Sequence, residues 1–257
     1  MTIHTLIADT NLSSLTLANG DSIALAGWQL TIDNLPTATG IDVSTVGTAG
    51  KVAFSGTGVD AQLPTWSFTA GTGPLISLVP SGVWIGTVNG GSASAAYGVN
   101  SNTGTVTTAN GGSVNGAYGV KNNTGTVTTA NGSSASDAYG VKNNYCLVVL
   151  ATGGSGSSTA YGVFSSWGEV LSVTPGTSRA VGSFSGDIKF IFGPTFNGVF
   201  TPSSTAATTT IYSVGAVSGS ATIPGDITVI ELSEGTSGIS QSRVNHIKNM
   251  MRHGVSI

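Results

Sequence analysis

Between Gly82 and about Phe184 the sequence repeats itself with a period of 21 residues. Ala117-Tyr118-Gly119-Val120 returns as Ala138-Tyr139-Gly140-Val141, and the same four letters stand at Ala96 to Val99 and at Ala160 to Val163. Thr103-Gly104-Thr105-Val106-Thr107-Thr108-Ala109-Asn110 recurs unchanged from Thr124 to Asn131. A short fixed period marks a chain that stacks one supersecondary unit on copies of itself.

The columns formed by superposing the copies identify the unit. Ile85, Val106, Val127, Val148 and Val170 fall in one column, apolar and β-branched as an inward strand position requires. The columns beside it are polar in the middle copies, so Thr105-Val106-Thr107 alternates as a strand with one wet face does. Gly90, Gly111, Gly132 and Gly153 follow, preceded by Asn89, Asn110, Asn131 and Thr152, the residue types that accept a left-handed corner. No copy carries a helical stripe. These features predict an all-β chain built on a parallel β-solenoid of about 21 residues per coil, spanning 82–184. A β-rich region is expected on each side. Residues 1–81 form either irregular early coils or a capping and attachment domain, and residues 185–257 a sandwich or barrel-like domain ending in a short helix at 240–253.

Composition supports stacking. Only 7% of the residues are charged while 39% are apolar, the reverse of a disordered chain. Like charges repeated at every coil would sit about 4.8 Å apart and repel. Lys121 and Lys142 break that rule and are expected to point to water. A net charge of −3 argues against nucleic acid as a partner. The first residues show no basic stretch followed by an apolar one, and no run of 18 apolar residues occurs. The reading is therefore a protein made in the cytosol, with no cleaved signal and no membrane partner. Cys146, the single cysteine, shares a column with Gly104 and Gly125 and is expected to be a buried, inert thiol.

Catalytic chemistry finds little to stand on. Within the repeats the only carboxylates are Asp137 and Glu169, too far apart in the column alignment for an acid/base pair. His4, His246 and His253 lie near the chain ends without a nucleophile or a ligand set, so no catalytic residue, metal or cofactor is assigned. Two adjacent Thr-x-Thr ranks are too few for an ice-matching face.

Three groups of residues are candidates for contact. Lys121, Asn122, Asn123, Lys142, Asn143 and Asn144 form an Asn-rich ridge that suits a glycan. In the later copies wet columns turn apolar and aromatic, at Tyr145, Leu147, Val149, Phe164, Trp167 and Leu171. Something covers them, either the chain's own C-terminal third or a second subunit. In the expected terminal helix, Arg243, Ile247, Lys248, Met251 and Arg252 read either as a dipole-matched helix end or as a docking peg.

The Ala-Tyr-Gly-Val and Gly-Thr-Val-Thr-Thr-Ala-Asn-Gly repeats, with their Asn-Gly corners and Ser/Gly/Thr-rich surface, resemble bacteriophage virion proteins. The similarity is in style, to the β-helical and fibrous parts of tail fibres, tailspikes and capsid decoration proteins. It implies a non-enzymatic homotrimer located in the virion, a decoration protein or short fibre touching other virion proteins. The alternative is an adhesin that binds, or less readily cleaves, a host surface glycan. Cleavage would need carboxylates meeting between subunits, for instance Asp187 or Glu231 with a partner's residue.

Overall fold

The computed structural model describes residues 1–45, 50–155 and 160–174, together with the strands Val181–Phe184, Phe190–Phe192, Thr209–Val214 and Ile227–Glu231. Every strand pairing is parallel, and successive strands of one sheet come from successive coils. Each coil has a long arm and a short arm. The long arms form a sheet of 12 strands and the short arms a sheet of nine. The nine rungs in which both arms are present span roughly 38 Å, eight steps of about 4.8 Å.

In the repeats the long arms are Trp84–Asn89, Thr105–Asn110, Thr126–Asn131, Leu147–Thr152 and Glu169–Thr174. The short arms are Val99–Asn102, Val120–Asn123, Val141–Asn144 and Val163–Ser166. Val106, Val127 and Val148 lie in register and wholly buried, with Ile85 and Val170 above and below them. Each buried Val removes apolar surface worth about 1.5–2 kcal/mol from water.

Simple alternation holds only for half of each arm. Along Thr105–Asn110 the inward residues are Val106 and Ala109, with Thr107 and Thr108 both outward. Along Val120–Asn123 they are Val120 and Asn123, with Lys121 and Asn122 both outward. Two outward residues in succession turn the chain around an edge and reverse the parity of everything after it.

The rod does not begin at residue 82. The strands Ile3–Thr5, Ser22–Ala24, Asp42–Ser44 and Gln62–Thr69 continue the long-arm sheet in register. Thr10–Asn11, Gln29–Ile32, Lys51–Phe54 and Ile76–Val79 continue the short-arm sheet. Of the two readings of residues 1–81, early irregular coils is the one observed. Their interior is bulkier: the largest fully buried side chains, Trp66 and Phe68 among them, all lie between Ile23 and Ile85. Trp66 donates its indole N–H to the Ala38 carbonyl at 2.8 Å, which satisfies its one polar atom.

Toward the C-terminus, Phe190–Phe192, Thr209–Val214 and Ile227–Glu231 add further parallel strands to the long-arm sheet. These strands extend the solenoid's own sheet, where sequence patterning suggested a sandwich or barrel. The expected helix at 240–253, with Arg243, Ile247, Lys248, Met251 and Arg252, lies outside the described residues.

Candidate functional site

Three side-chain ladders run along the rod, and they sort the candidate residues. The first is inside. Asn102, Asn123 and Asn144 occupy one inward column and are 0% exposed. Asn102 Nδ2 donates to Asn123 Oδ1 at 2.8 Å, and Asn123 Nδ2 to Asn144 Oδ1 at 2.8 Å. Asn144 Nδ2 donates to Ser166 Oγ at 3.1 Å. Each amide also donates to the main chain of the coil ahead, Asn123 to the Leu147 carbonyl at 3.1 Å. Asn123 and Asn144 are therefore no part of an outer ridge. They stand on the inward side of the parity reversal, where no sugar reaches them. Asn122 and Asn143 remain outside, half-buried, joined by a 2.9 Å hydrogen bond from Asn143 Nδ2 to Asn122 Oδ1.

The second ladder is aromatic and forms a small core of its own. Tyr97, Tyr118 and Tyr139 stack with ring centroids 5.2 Å apart and planes within 7° of parallel, and Tyr161 follows at 5.7 Å. The spacing is set by the coil rise. Lys121 Nζ lies 5.0 Å over the Tyr97 ring and Lys142 Nζ 5.0 Å over Tyr118. These lysines are half-buried against the ring of the preceding coil, where sequence suggested free solvation. Phe164 takes the next place in that column, 4.7 Å from the Tyr139 centroid. Its change from Lys to Phe is accounted for inside the chain, without a second subunit.

The Tyr139 hydroxyl donates to Asp137 Oδ1 at 2.9 Å. Burial, then this hydrogen bond, pushes the Tyr139 phenol far up, so it stays protonated. Asp137 holds a positive φ of 51°, as Ala95 and Gly116 do in the equivalent places. Its carboxylate therefore serves a corner and a tyrosine. Because a cation over the ring face is replaceable by an aromatic but not by an anion, Lys142→Phe should unfold within about 0.5 kcal/mol of the parent. Lys142→Glu should be destabilised by about 1 kcal/mol. Equal losses in denaturant titrations would contradict the cation–ring contact.

The third ladder is short and exposed. Tyr145 and Trp167 stack at 5.0 Å with planes 7° apart, yet remain 49% and 53% exposed. Next to them the outward residues of the long arm, Leu147, Val149 and Leu150, are half-buried. Leu171 falls beside Val149 in the strand register. Tyr145, Leu147, Val149 and Trp167 thus converge on one flank, while Phe164 belongs to the tyrosine ladder. Sequence reasoning passed over Leu150, because strict alternation places it inside. Cys146 lies between Tyr145 and Leu147 and is exposed, contrary to the expected burial. Its column is a tight corner: a Cβ at Gly125 would come within 2.6 Å of the Thr103 carbonyl carbon, so the backbone must shift where a side chain stands in that column.

At the first coil, Asp21 is almost fully buried and accepts hydrogen bonds from the Thr2 and Ala18 N–H groups, at 2.6 and 2.9 Å. His4 Nε2 lies 3.2 Å from Asp21 Oδ2, the oxygen that also accepts from the Ala18 N–H. The Ala18 and Thr2 N–H groups, then His4, hold the Asp21 carboxyl at about 2, below its ordinary 3.8. The sign follows from the lowered value: the carboxylate stabilises the folded first coil above about pH 4, and that contribution disappears as pH falls toward 2. Asp21→Asn should therefore flatten the fall of the unfolding midpoint between pH 4 and pH 2. An unchanged acid limb in the variant would contradict this.

Among the described residues, no cluster of three or more His, Cys, Asp or Glu side chains could hold a metal ion. No protein-family profile, curated protein or solved structure matches the chain. The fold and the flank define the class at the level of architecture: a two-sheet parallel β-solenoid with a repeat of about 21 residues.

Proposed function

We propose that the chain is a non-enzymatic structural part of a bacteriophage virion, a capsid decoration protein or short fibre that assembles as a homotrimer. The observation that carries the assembly role is the flank made by Tyr145, Trp167, Leu147 and Val149. Two stacked aromatic rings are left half exposed there beside outward apolar residues, in the columns where the two preceding coils carry Thr103, Thr105, Thr124 and Thr126. A flank of this kind is removed from water by lateral packing of rods. The virion setting is supported by the style of the repeats.

The test joins mass and location. Native mass spectrometry of the purified chain should give a trimer, and Tyr145→Ser with Trp167→Ser should give monomers that keep the parent's β-sheet circular dichroism. Particles purified from cells carrying the gene should contain the chain. A parent that is monomeric throughout the micromolar range, or particles that lack the chain, would overturn the reading.

The outer row of Asn122 and Asn143, flanked by Lys121 and Lys142, favours a second reading, an adhesin for host glycans. Binding on a glycan array that is lost in Asn122→Ala with Asn143→Ala would select it.

A further inference from the structure

The outer strip of the short-arm sheet carries two charges that the fold leaves without a counter-charge. Lys121 and Lys142 occupy one outward column on adjacent coils, with Asn122 and Asn143 beside them. Each ammonium sits 5.0 Å over the tyrosine of the coil before, and those two rings are 5.2 Å apart. The ammoniums are therefore held about one coil rise from each other, about 4.8 Å. Like charges facing each other on neighbouring strands repel. Among the described residues the only ion pair joins His4 and Asp21, so neither lysine has a carboxylate partner. Of the two carboxylates in the repeats, Asp137 accepts from the Tyr139 hydroxyl and Glu169 belongs to a long arm.

Contact with a ring does not by itself account for lysine at these positions. Phe164 fills the same column in the next coil and stacks on Tyr139 at 4.7 Å without a charge. What lysine adds is an ammonium with N–H donors beyond the ring. The neighbouring amide is also unused. Asn122 Oδ1 accepts from Asn143 Nδ2 at 2.9 Å, while Asn122 Nδ2 has no partner among the described residues. Two cations and an open amide donor thus stand within one coil step, on a chain with only eight Lys and Arg in 257 residues.

A carboxylate or sulfate lying between two ammoniums at that spacing turns one oxygen to each, within reach of a charge-assisted hydrogen bond, and removes their repulsion. We propose that Lys121 and Lys142 together hold the acidic group of a carboxylated or sulfated sugar in a host surface glycan, with Asn122 Nδ2 donating to a hydroxyl of the same glycan. The inference rests on the adhesin reading given above and narrows its ligand from glycans in general to acidic ones. The net charge of −3 opposes a long polyanion such as nucleic acid far more than a single acidic unit seated between paired lysines. None of these residues belongs to the Tyr145–Trp167 flank.

The test is isothermal titration calorimetry on the full chain at low salt, with trigalacturonate and a singly sulfated galactose trisaccharide as probes. At least one of the two should bind at one site per chain, and the stronger of them identifies the acid. The methyl ester of trigalacturonate, the same sugar without charge, should bind about tenfold more weakly than the acid or not at all. Lys121→Gln with Lys142→Gln should lose binding to a similar degree, and Lys121→Arg with Lys142→Arg should retain it. Lys142→Phe, which the column accommodates, should lose binding while keeping the parent's unfolding midpoint, so a loss there is not a folding defect. Binding of neither acid overturns the proposal, as does a methyl ester that binds as well as the acid, or affinity indifferent to the lysine variants. A thymidine hexanucleotide that binds more tightly than either sugar overturns it in favour of nucleic acid. If acid and ester bind alike and Asn122→Ala with Asn143→Ala removes both, the adhesin reading stands and this inference alone fails.

Discussion

Asn123→Leu should lower the thermal unfolding midpoint by roughly 10 °C, although asparagine at a repeat corner looks like a solvent residue. Asn123 is wholly buried and gives its two amide hydrogens to Asn144 Oδ1 and the Leu147 carbonyl while accepting from Asn102. Leucine has nearly the same length but satisfies none of the three. Two buried acceptors lose their donor and one buried donor loses an acceptor, at about 1–3 kcal/mol each. The sum, discounted for relaxation, is about 3–5 kcal/mol, and in a chain of this size each kcal/mol moves the midpoint by about 2–4 °C. The neighbouring change Asn122→Ala removes one half-exposed hydrogen bond and should cost no more than about 1 kcal/mol. If the two variants unfold together, the assignment of inside and outside along Val120–Asn123 is wrong.

Gly140→Val should be at least as damaging. The glycine of each Ala-Tyr-Gly-Val stands where the chain, entering the short arm, passes the end of the long arm. A Cβ at Gly140 would lie 2.5 Å from the Asn131 nitrogen and 2.7 Å from the Ala109 oxygen and the Ala130 carbonyl carbon. A Cβ at Gly119 would meet the Asn110 nitrogen at 2.7 Å. The obstructing atoms are backbone held by the sheet, so they can yield only by breaking rungs. Misfit of this kind costs upward of about 3 kcal/mol. Gly116→Ala is the control: its neighbours lie at 3.2 Å or more, and Ala95 already holds the same positive φ. It should lose about 1 kcal/mol. The expected result for Gly140→Val is an insoluble chain or one whose unfolding begins at far lower denaturant than Gly116→Ala. Equal stability of the two would show that the arms are not in contact there.

These two positions also show how far sequence alone reaches. Near-identical copies give the period, and the Val106, Val127, Val148 column gives one inward position, because a stacked residue meets its own copy. What the period cannot supply is parity beyond an edge. Counting by twos from Val120 puts Asn122 inside and Asn123 outside, and the double outward step at Lys121 and Asn122 reverses this. The same step hid Leu150 and made an interior ladder read as a ridge. Residues 1–81 show another gap. Their coils differ in length, as Ser22 pairs with Asp42 but Asp42 with Ser67, so no letter-for-letter repeat survives. The inward successions Ile23, Val43, Phe68, Val88 and Leu30, Val52, Ile76, Val99 are what remains of the stack. The Cys146 column is ambiguous in the sequence, because glycines suit a tight corner as well as a packed interior, and here they mark the corner.

The continuous stack from the first coil onward is best tested by distance in solution. Ser22, Asp42, Ser67, Thr87, Thr108 and Thr129 follow one another on adjacent rungs of the long-arm sheet. In a Cys146→Ser background, spin labels paired at positions 22 and 108 and at positions 22 and 129 can be measured by double electron–electron resonance. The stack predicts narrow distributions near 19 and 24 Å, a step of about 4.8 Å for the added coil. Broad distributions, or a separation that does not grow by one rung between the two pairs, would contradict a single rod running from Ile3 through the repeats.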